Sequence, residues 1–322
     1  MGDVTRLLLT GATGFVGRAV LAQARAQGLE VVAVTRGTPP AAWTEAGVIP
    51  CCADLADPAA IPVLRAALRG VGAVIHCAAH LGSDEGAVTA ATTLGTRHLL
   101  AAMAGQSARL VLVSSIAVYD YTKLAPGGTV TEATPLEQPD TARDAYVAGK
   151  LRQEAMCRDA GHPLWILRPG AIFGEGRTWN AHLGVSLGPL LIAMGQGGEL
   201  PLAHVDHVAR RLVRAAGIAP QGVEVLNLVD ADRPDRARFL RAHRLSGWPR
   251  LVLPLPWPVV LPVARLLAPL GPRLPGLLRE AVLRARILPL RYDARALVRR
   301  LGPLDQPRFE ALMAAALKEG AA

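Results

Sequence analysis

The chain has 322 residues, of which 51% are hydrophobic, enough to bury a large core in one large or two modest domains. Its net charge of +9 is unevenly placed: residues 233–322 hold 17 Lys or Arg against 6 Asp or Glu, a face that reads as a solvated arginine-rich surface or as one that attracts anionic lipid or acidic substrates. With 4% aromatic residues and no zinc-finger or RNP-like pattern, nucleic acid is excluded as a partner; the four cysteines lack metal-ligand spacing and no secretory signal pattern opens the chain, so a reducing cytoplasm is expected.

The first element is the stretch Leu7 to Val20, LLLTGATGFVGRAV: an apolar strand, a turn with glycines at Gly11, Gly14 and Gly17, then an apolar helix pattern. Gly11 permits the turn, Gly14 lets backbone approach a pyrophosphate, and Gly17 allows close packing of helix on strand. The free N–H groups of the helix start then face a phosphate. Arg18 to Gln27 reads as helix, capped by Gly28, and Glu30 to Val34 as a buried parallel strand. Val48 to Cys52 reads as a short strand; Asp57 and Pro58 supply an N-cap and N1 proline for a helix through Leu68, before a strand at Val71 to Cys77. Ala87 to Met103 is a long helix and Leu110 to Val113 a strand that runs into Ser114 and Ser115. The polar loop Asp120 to Asp140 is longer than ordinary loops, the next helix holds Tyr146 and Lys150, and Leu164 to Leu167 is a strand. Alternation of strand and helix at this spacing predicts an α/β fold with a doubly wound parallel sheet.

Beyond Phe173 the rhythm changes. Gly184 to Met194 is expected to be helical, Asp206 to N-cap a helix from His207 to Ala216, and Val223 to Leu228 to form a strand. Leu251 to Leu270 is apolar enough to resemble a membrane span, but Pro254, Pro256, Pro258, Pro262 and Pro269 argue against a spanning helix, since an interior proline costs about 3 kcal/mol. A proline-broken lid or wall over a substrate pocket is the expectation, with peripheral membrane contact as the alternative. Residues 1–175, joined by about 204–230, are assigned to the dinucleotide-binding domain, and 176–203 with 231–322 to a smaller substrate-binding part.

Ser115, Tyr146 and Lys150 are the candidate catalytic residues. Tyr146 and Lys150 stand four apart on a helix, so phenol and ammonium share a face, and a nearby ammonium favours phenolate. Ser115, at the C-terminal end of a parallel strand, stands where a doubly wound sheet binds ligands. Arg36, after Thr35 at the end of the second strand, suits a 2'-phosphate, so NADP(H) is preferred over NAD(H). His76 is expected to be a structural donor, His80 to face substrate, and Asp84 with Glu85 to charge a helix N-terminus. His182, His204 and His207 lack an acidic or cysteine partner at ligand spacing, so no metal site is assigned. Trp179, Trp248 and Trp257 are candidates for pocket wall or core.

Taken in order, TGATGFVG at 10–17, ADL at 53–55, HCAA at 76–79, SSIAVY at 114–119, YVAGK at 146–150, RPGAIFG at 168–174 and HVDHVA at 204–209 resemble the extended short-chain dehydrogenase/reductase family. The resemblance implies a Rossmann domain with Tyr146 as proton donor or acceptor, Lys150 holding the nicotinamide ribose and lowering the tyrosine pKa, and Ser115 orienting the reacting oxygen. It implies cofactor contacts at Gly11, Thr13, Gly14, Phe15, Val16 and Gly17, at Asp54 and Leu55 beside the adenine, and at Cys77, Ala78 and Ala79. Pro169, Gly170, Ala171 and Ile172 would line the nicotinamide amide. A homodimer through helices corresponding to 87–103 and 142–160 is also implied.

Departures from the family narrow the substrate. Nucleotide-sugar members commonly carry Asn at the position of Ala171, and the dehydratases an Asp-Glu pair where Ile116 and Ala117 stand. Thr92 replaces an Asn that supports the active site in many members, and His207 the second acidic residue of a Val-Asp-Asp run. RPGAIFG and the apolar C-terminal part look more like the 3β-hydroxysteroid dehydrogenase and dihydroflavonol reductase branches. The expectation is an oxidoreductase for a ketone or secondary alcohol on a hydrophobic small molecule such as a β-keto acyl chain, sterol or polyketide. The alternatives are a nucleotide-sugar epimerase with tightly bound NAD and a non-catalytic dinucleotide sensor.

Overall fold

The computed structural model describes residues 4–45, 47–274 and 276–319. Seven parallel strands form its central sheet: β1 (Arg6–Thr10), β2 (Glu30–Thr35), β3 (Ile49–Cys52), β4 (Ala73–His76), β5 (Arg109–Val113), β6 (Leu164–Pro169) and β7 (Val223–Leu228). Their spatial order is β7-β6-β5-β4-β1-β2-β3, so the direction of winding reverses between β1 and β4. At that reversal the connections leave to opposite faces and open a crevice at the C-terminal strand ends.

The sheet is covered on both faces, which is why its inner strands read as unbroken apolar runs. In β1 alternate side chains serve opposite layers. Leu7 and Leu9 join a cluster with Val20 of the helix Phe15–Ala26 and Leu212 of the helix Val205–Gly217. Leu8 joins one with Leu64 of the helix Ala60–Ala67 and Leu99 of the helix Gly95–Met103. All three leucines are fully buried, which fixes the end of β1 and the start of the glycine turn between two packed layers.

Some helices differ from expectation in their ends or in their interior. The helix after Asp57 begins only at Ala60, because the Asp57 carboxylate accepts from Ala59 N at 2.8 Å in a preceding turn. The expected N-cap Asp206 lies inside the first turn of Val205–Gly217, whose cap is His204, with Nδ1 accepting from Asp206 N at 3.4 Å. The helix expected over 87–103 is broken by a π-helical segment, Thr89–Leu94, between Glu85–Val88 and Gly95–Met103. Such turns recur where a helix adjusts to a site, and this one brings Ala90 and Ala91 to the cofactor side of the crevice.

One element differs in kind. Gly184–Met194 is not a helix but a hairpin of Gly184–Leu187 and Leu190–Ala193, joined through Gly188 and Pro189. Gly188 takes φ +55, open to glycine without strain, and Pro189 has no N–H for a helical bond. Leu251–Pro254 adds a parallel third strand to this small sheet. After it, Trp257–Leu266 is helical despite Pro262, with Pro258 in the first turn, where a missing N–H costs nothing. The long 120–140 loop is pinned by Thr129–Val130 pairing with Arg291–Tyr292.

Candidate active site

Two adjoining cavities of about 460 and 450 Å³ run across the C-terminal ends of the sheet and share Gly11, Gly14, Cys77 and Ala79. Every residue singled out for cofactor or catalysis lines one of them. Thr13, Arg36, Asp54, Leu55 and Ala78 line the outer cavity. Phe15, Val16, Gly17, Ser115, Tyr146, Lys150, Pro169, Gly170, Ala171 and Ile172 line the inner one.

Gly11 and Gly17 meet the steric demands expected of them. Gly11 has φ +69, and a Cβ there would lie 2.9 Å from Ala78 N. At Gly17 a Cβ would fall 2.0 Å from Gly11 O, so only glycine lets the helix sit this close to its own turn. The helix starts at Phe15 rather than Arg18, with Gly14 as N-cap and no side chain bonded to its first N–H groups. A backbone cradle closed to any Cβ, with first-turn amides that no side chain caps, fits the pyrophosphate of a dinucleotide.

Asp144 caps the helix Ala145–Asp159 by accepting from Val147 N at 2.9 Å, and this sets Tyr146 at the cavity wall. Ser115 lines the same cavity wall as Tyr146, and its Oγ accepts from Ala117 N at 3.1 Å. Burial pushes the Tyr146 phenol above its ordinary pKa, opposed in part by the neighbouring Ser115 hydroxyl. The expected lowering by Lys150 is therefore not what the geometry gives. The Lys150 ammonium instead donates to Val113 O at 2.7 Å and Gln153 Oε1 at 2.9 Å, and burial lowers its pKa to about 8.

Gln153, one turn beyond Lys150 and wholly buried, links the lysine to a polar chain inside the sheet. Its amide donates to Thr96 Oγ1 at 2.8 Å and lies 3.1 Å from His76 Nε2, while His76 Nδ1 is 2.6 Å from Thr10 Oγ1 at the start of the glycine turn. His76 is kept neutral by burial and by the charge of Lys150, which lower its pKa to about 3, in keeping with a structural role. Thr92 does not reach Lys150: its hydroxyl accepts from His80 N at 3.0 Å. His80 lines the cofactor cavity rather than the substrate end.

A second buried group joins the catalytic helix to the strand ends. Glu154 accepts from Arg168 Nε at 2.9 Å, Arg168 NH2 at 2.6 Å and Ser114 Oγ at 2.5 Å. Although burial works against the charge, the Arg168 guanidinium holds the Glu154 carboxyl below its usual range. This ties the ends of β5 and β6 to the helix that carries Tyr146.

The substrate end is walled by Leu81, Ile116, Ala117, Val147 and Ala285, and by the cations Arg143, Arg177 and Arg286 with His182. Arg143 is engaged by Glu137 and the Ala117 carbonyl, and Arg177 lies over the Phe15 ring at 4.8 Å. Ala285 and Arg286 belong to the helix Glu280–Ile287, so this helix is the wall, and the 251–270 stretch expected as lid or wall packs behind it. Trp179, Trp248 and Trp257 do not line the cavities; Trp179 and Trp248 stack edge-on at 4.7 Å. Asp84 caps Glu85–Val88, accepting from Ala87 N at 2.8 Å.

Residues 7–216, which hold the glycine turn, the strand ends and the tyrosine helix, match the model of the NAD-dependent epimerase/dehydratase family. The chain belongs to this family. Its members and relatives are enzymes that use a nicotinamide dinucleotide, within the extended short-chain dehydrogenase/reductases. The chain is 28% identical over 260 residues to a ceramide reductase of Caulobacter vibrioides, covering 79% of this chain and 74% of that one. To a 3-diazoavenalumate denitrifying reductase of a Streptomyces species it is 28% identical over 286 residues, 84% and 87% of the two chains. A dTDP-4-dehydrorhamnose reductase of Mycobacterium tuberculosis is 33% identical over 189 residues, 56% of this chain and 55% of that one. Among solved structures, the terminal R domain from the myxalamid PKS-NRPS pathway matches with TM-score 0.73 at 22% identity, covering 99% and 91% of the chains. The Thermus thermophilus UDP-glucose 4-epimerase complex with NAD matches with TM-score 0.70 at 19% identity, covering 98% and 99%. These structures share the fold.

Proposed function

We propose that the chain is an NADP(H)-dependent oxidoreductase acting between a ketone and a secondary alcohol on a largely hydrophobic substrate, of β-keto acyl, sterol or polyketide type. The observation that carries this reading is that Ser115, Tyr146 and Lys150 together line a cleft whose other end is a glycine cradle that Cβ atoms at Gly11 and Gly17 would close. When bound, NADPH would supply the hydride for the carbonyl carbon. Tyr146 gives its phenolic proton to the carbonyl oxygen, Ser115 holds that oxygen, and Lys150 provides positive charge one helical turn away and a donor for the nicotinamide ribose.

The dinucleotide would be held by Gly11 to Gly17, by Asp54 and Leu55, and by the backbone from Pro169 to Ile172. Arg36, exposed at the end of β2 in the same cavity as Asp54, supports NADP over NAD, because a guanidinium pairs with a 2'-phosphate. Ala171 leaves the inner cavity a methyl group where nucleotide-sugar members carry Asn, and Ile116 with Ala117 gives it no acid-base pair for elimination. Relatives named as ceramide and other reductases support net reduction of a bulky substrate. We place the enzyme in the cytoplasm, where its four free cysteines suit a reducing medium, as a homodimer through the helices around 87–103 and 142–160.

The test is oxidation of NADPH and of NADH against a panel of β-keto acyl, steroid and aromatic ketones, with UDP- and dTDP-sugars as the opposing set. The expected result is NADPH-favoured turnover of an apolar ketone. Turnover confined to the nucleotide sugars, or sugar epimerisation with no net NADPH use, would overturn the reading.

A further inference from the structure

The helix Trp257–Leu266 is apolar on two sides. Val260 and Ala264 are buried against Leu283 and Ile287 of the helix Glu280–Ile287. Val259, Val263 and Leu266, at i, i+4 and i+7, form a separate stripe turned outward, 59%, 46% and 80% exposed. Just before this helix, Leu251 and Leu253 alternate onto one face of the small sheet, and Leu251, 64% exposed, is aligned through Leu190 with exposed Leu187. Nothing among the described residues covers these side chains. Scattered exposed leucines need no explanation, but a run of them on consecutive elements marks a surface that meets another apolar phase.

The charge around the patch selects the occupant. From Arg241 to Arg279 the chain has six arginines and no Asp or Glu, with Glu280 following as the partner of Arg265. Arg250 is exposed next to Leu251, and Arg265, between Val263 and Leu266 in the chain, keeps more than half of its side chain exposed while paired with Glu280 at 3.0 Å. A second copy of this face would add like charge, which Glu280, already shared by Arg265 and Arg284, offsets only in part. A bilayer with acidic headgroups supplies both requirements, acyl chains for the leucines and valines and phosphates for the guanidinium groups. No helix among the described residues is long and apolar enough to cross a membrane, so the contact is at the surface.

We propose that this face seats the protein on an anionic lipid bilayer, with the Trp257–Leu266 helix lying in the headgroup region. The helix beneath it, Glu280–Ile287, carries Ala285 and Arg286 to the inner cavity, so one helix separates the lipid seat from the substrate end. The seat is independent of the chemistry proposed for that cavity.

The experiment is co-sedimentation of the full chain with vesicles of phosphatidylcholine alone and of phosphatidylcholine containing phosphatidylglycerol. The chain should sediment with the phosphatidylglycerol vesicles, less so at raised salt, and weakly with phosphatidylcholine alone. The double substitution Val263→Glu with Leu266→Glu should reduce the bound fraction about tenfold or more, with an unchanged far-ultraviolet spectrum and melting curve. Leu266→Ser, a milder change at the most exposed position, should give an intermediate loss and stands in if the double variant does not fold. Wild-type protein left in the supernatant with both vesicle types would overturn the proposal, as would binding that these substitutions leave intact. A dimer in sedimentation velocity that they convert to monomer, without vesicle binding, would assign the face to a second copy and equally overturn it.

Discussion

At the scale of single residues, the proposed chemistry is divided between two titrating groups. Tyr146, pushed above its ordinary pKa by burial, keeps its proton through neutral and mildly alkaline solution, the state an acid needs for reduction. Lys150, lowered to about 8 by burial, is charged below that pH and neutral above it. The reductive kcat/KM should therefore be level near pH 7 and fall as pH rises through about 8, read from a pH–rate profile. A limb that falls toward acid instead would contradict the assignment. Ser115, Tyr146, Lys150 and the residues of the glycine turn were legible because each lies in a short local pattern, a strand end, an i to i+4 pair or a glycine spacing. Gln153 and Arg286 were not, because their importance comes from what packs opposite them: a buried histidine 77 positions away for Gln153, a cavity wall from a distant helix for Arg286.

At the scale of elements, the ion pair of Glu154 and Arg168 binds the tyrosine helix to β5 and β6. Both side chains are almost wholly buried, so removing one leaves an uncompensated charge. Glu154→Ala should cost about 3–5 kcal/mol in urea unfolding and lower activity through misplacement of Ser115 and Tyr146. Because the Glu154 pKa is depressed in the fold, its contribution is complete at neutral pH and is lost as acid protonates it. A loss below about 1 kcal/mol, the range of exposed pairs, would show that the strand ends are held otherwise. The strands of the sheet were readable as buried apolar runs, whereas Gly184–Met194 was not, since a short apolar segment suits helix and hairpin equally until Gly188 and Pro189 are seen to make the turn. The stretch from Leu251 illustrates the converse. Its prolines exclude a spanning helix, yet Pro258 in the first turn and Pro262 within still leave ten residues helical.

At the scale of the whole molecule, one cleft joins two regions with different origins. Its cofactor end is built by residues 10–91 and is legible from sequence, since the glycine turn and strand ends are contiguous in the chain. Its substrate end gathers Leu81, Ala117, Arg143, Arg177, His182 and Arg286 from separate connections, and no local pattern announces that meeting. The basic C-terminal part thus has two surfaces, a cavity wall at Ala285 and Arg286 and an apolar, arginine-flanked exterior. The central claim is that Tyr146 delivers the proton in a net hydride transfer, and the most direct measurement is the NADPH oxidation rate of Tyr146→Phe on the best ketone of the panel. A fall of about 10²- to 10⁴-fold with an unchanged melting temperature is predicted, and full NADPH-dependent turnover by the Phe variant would contradict it.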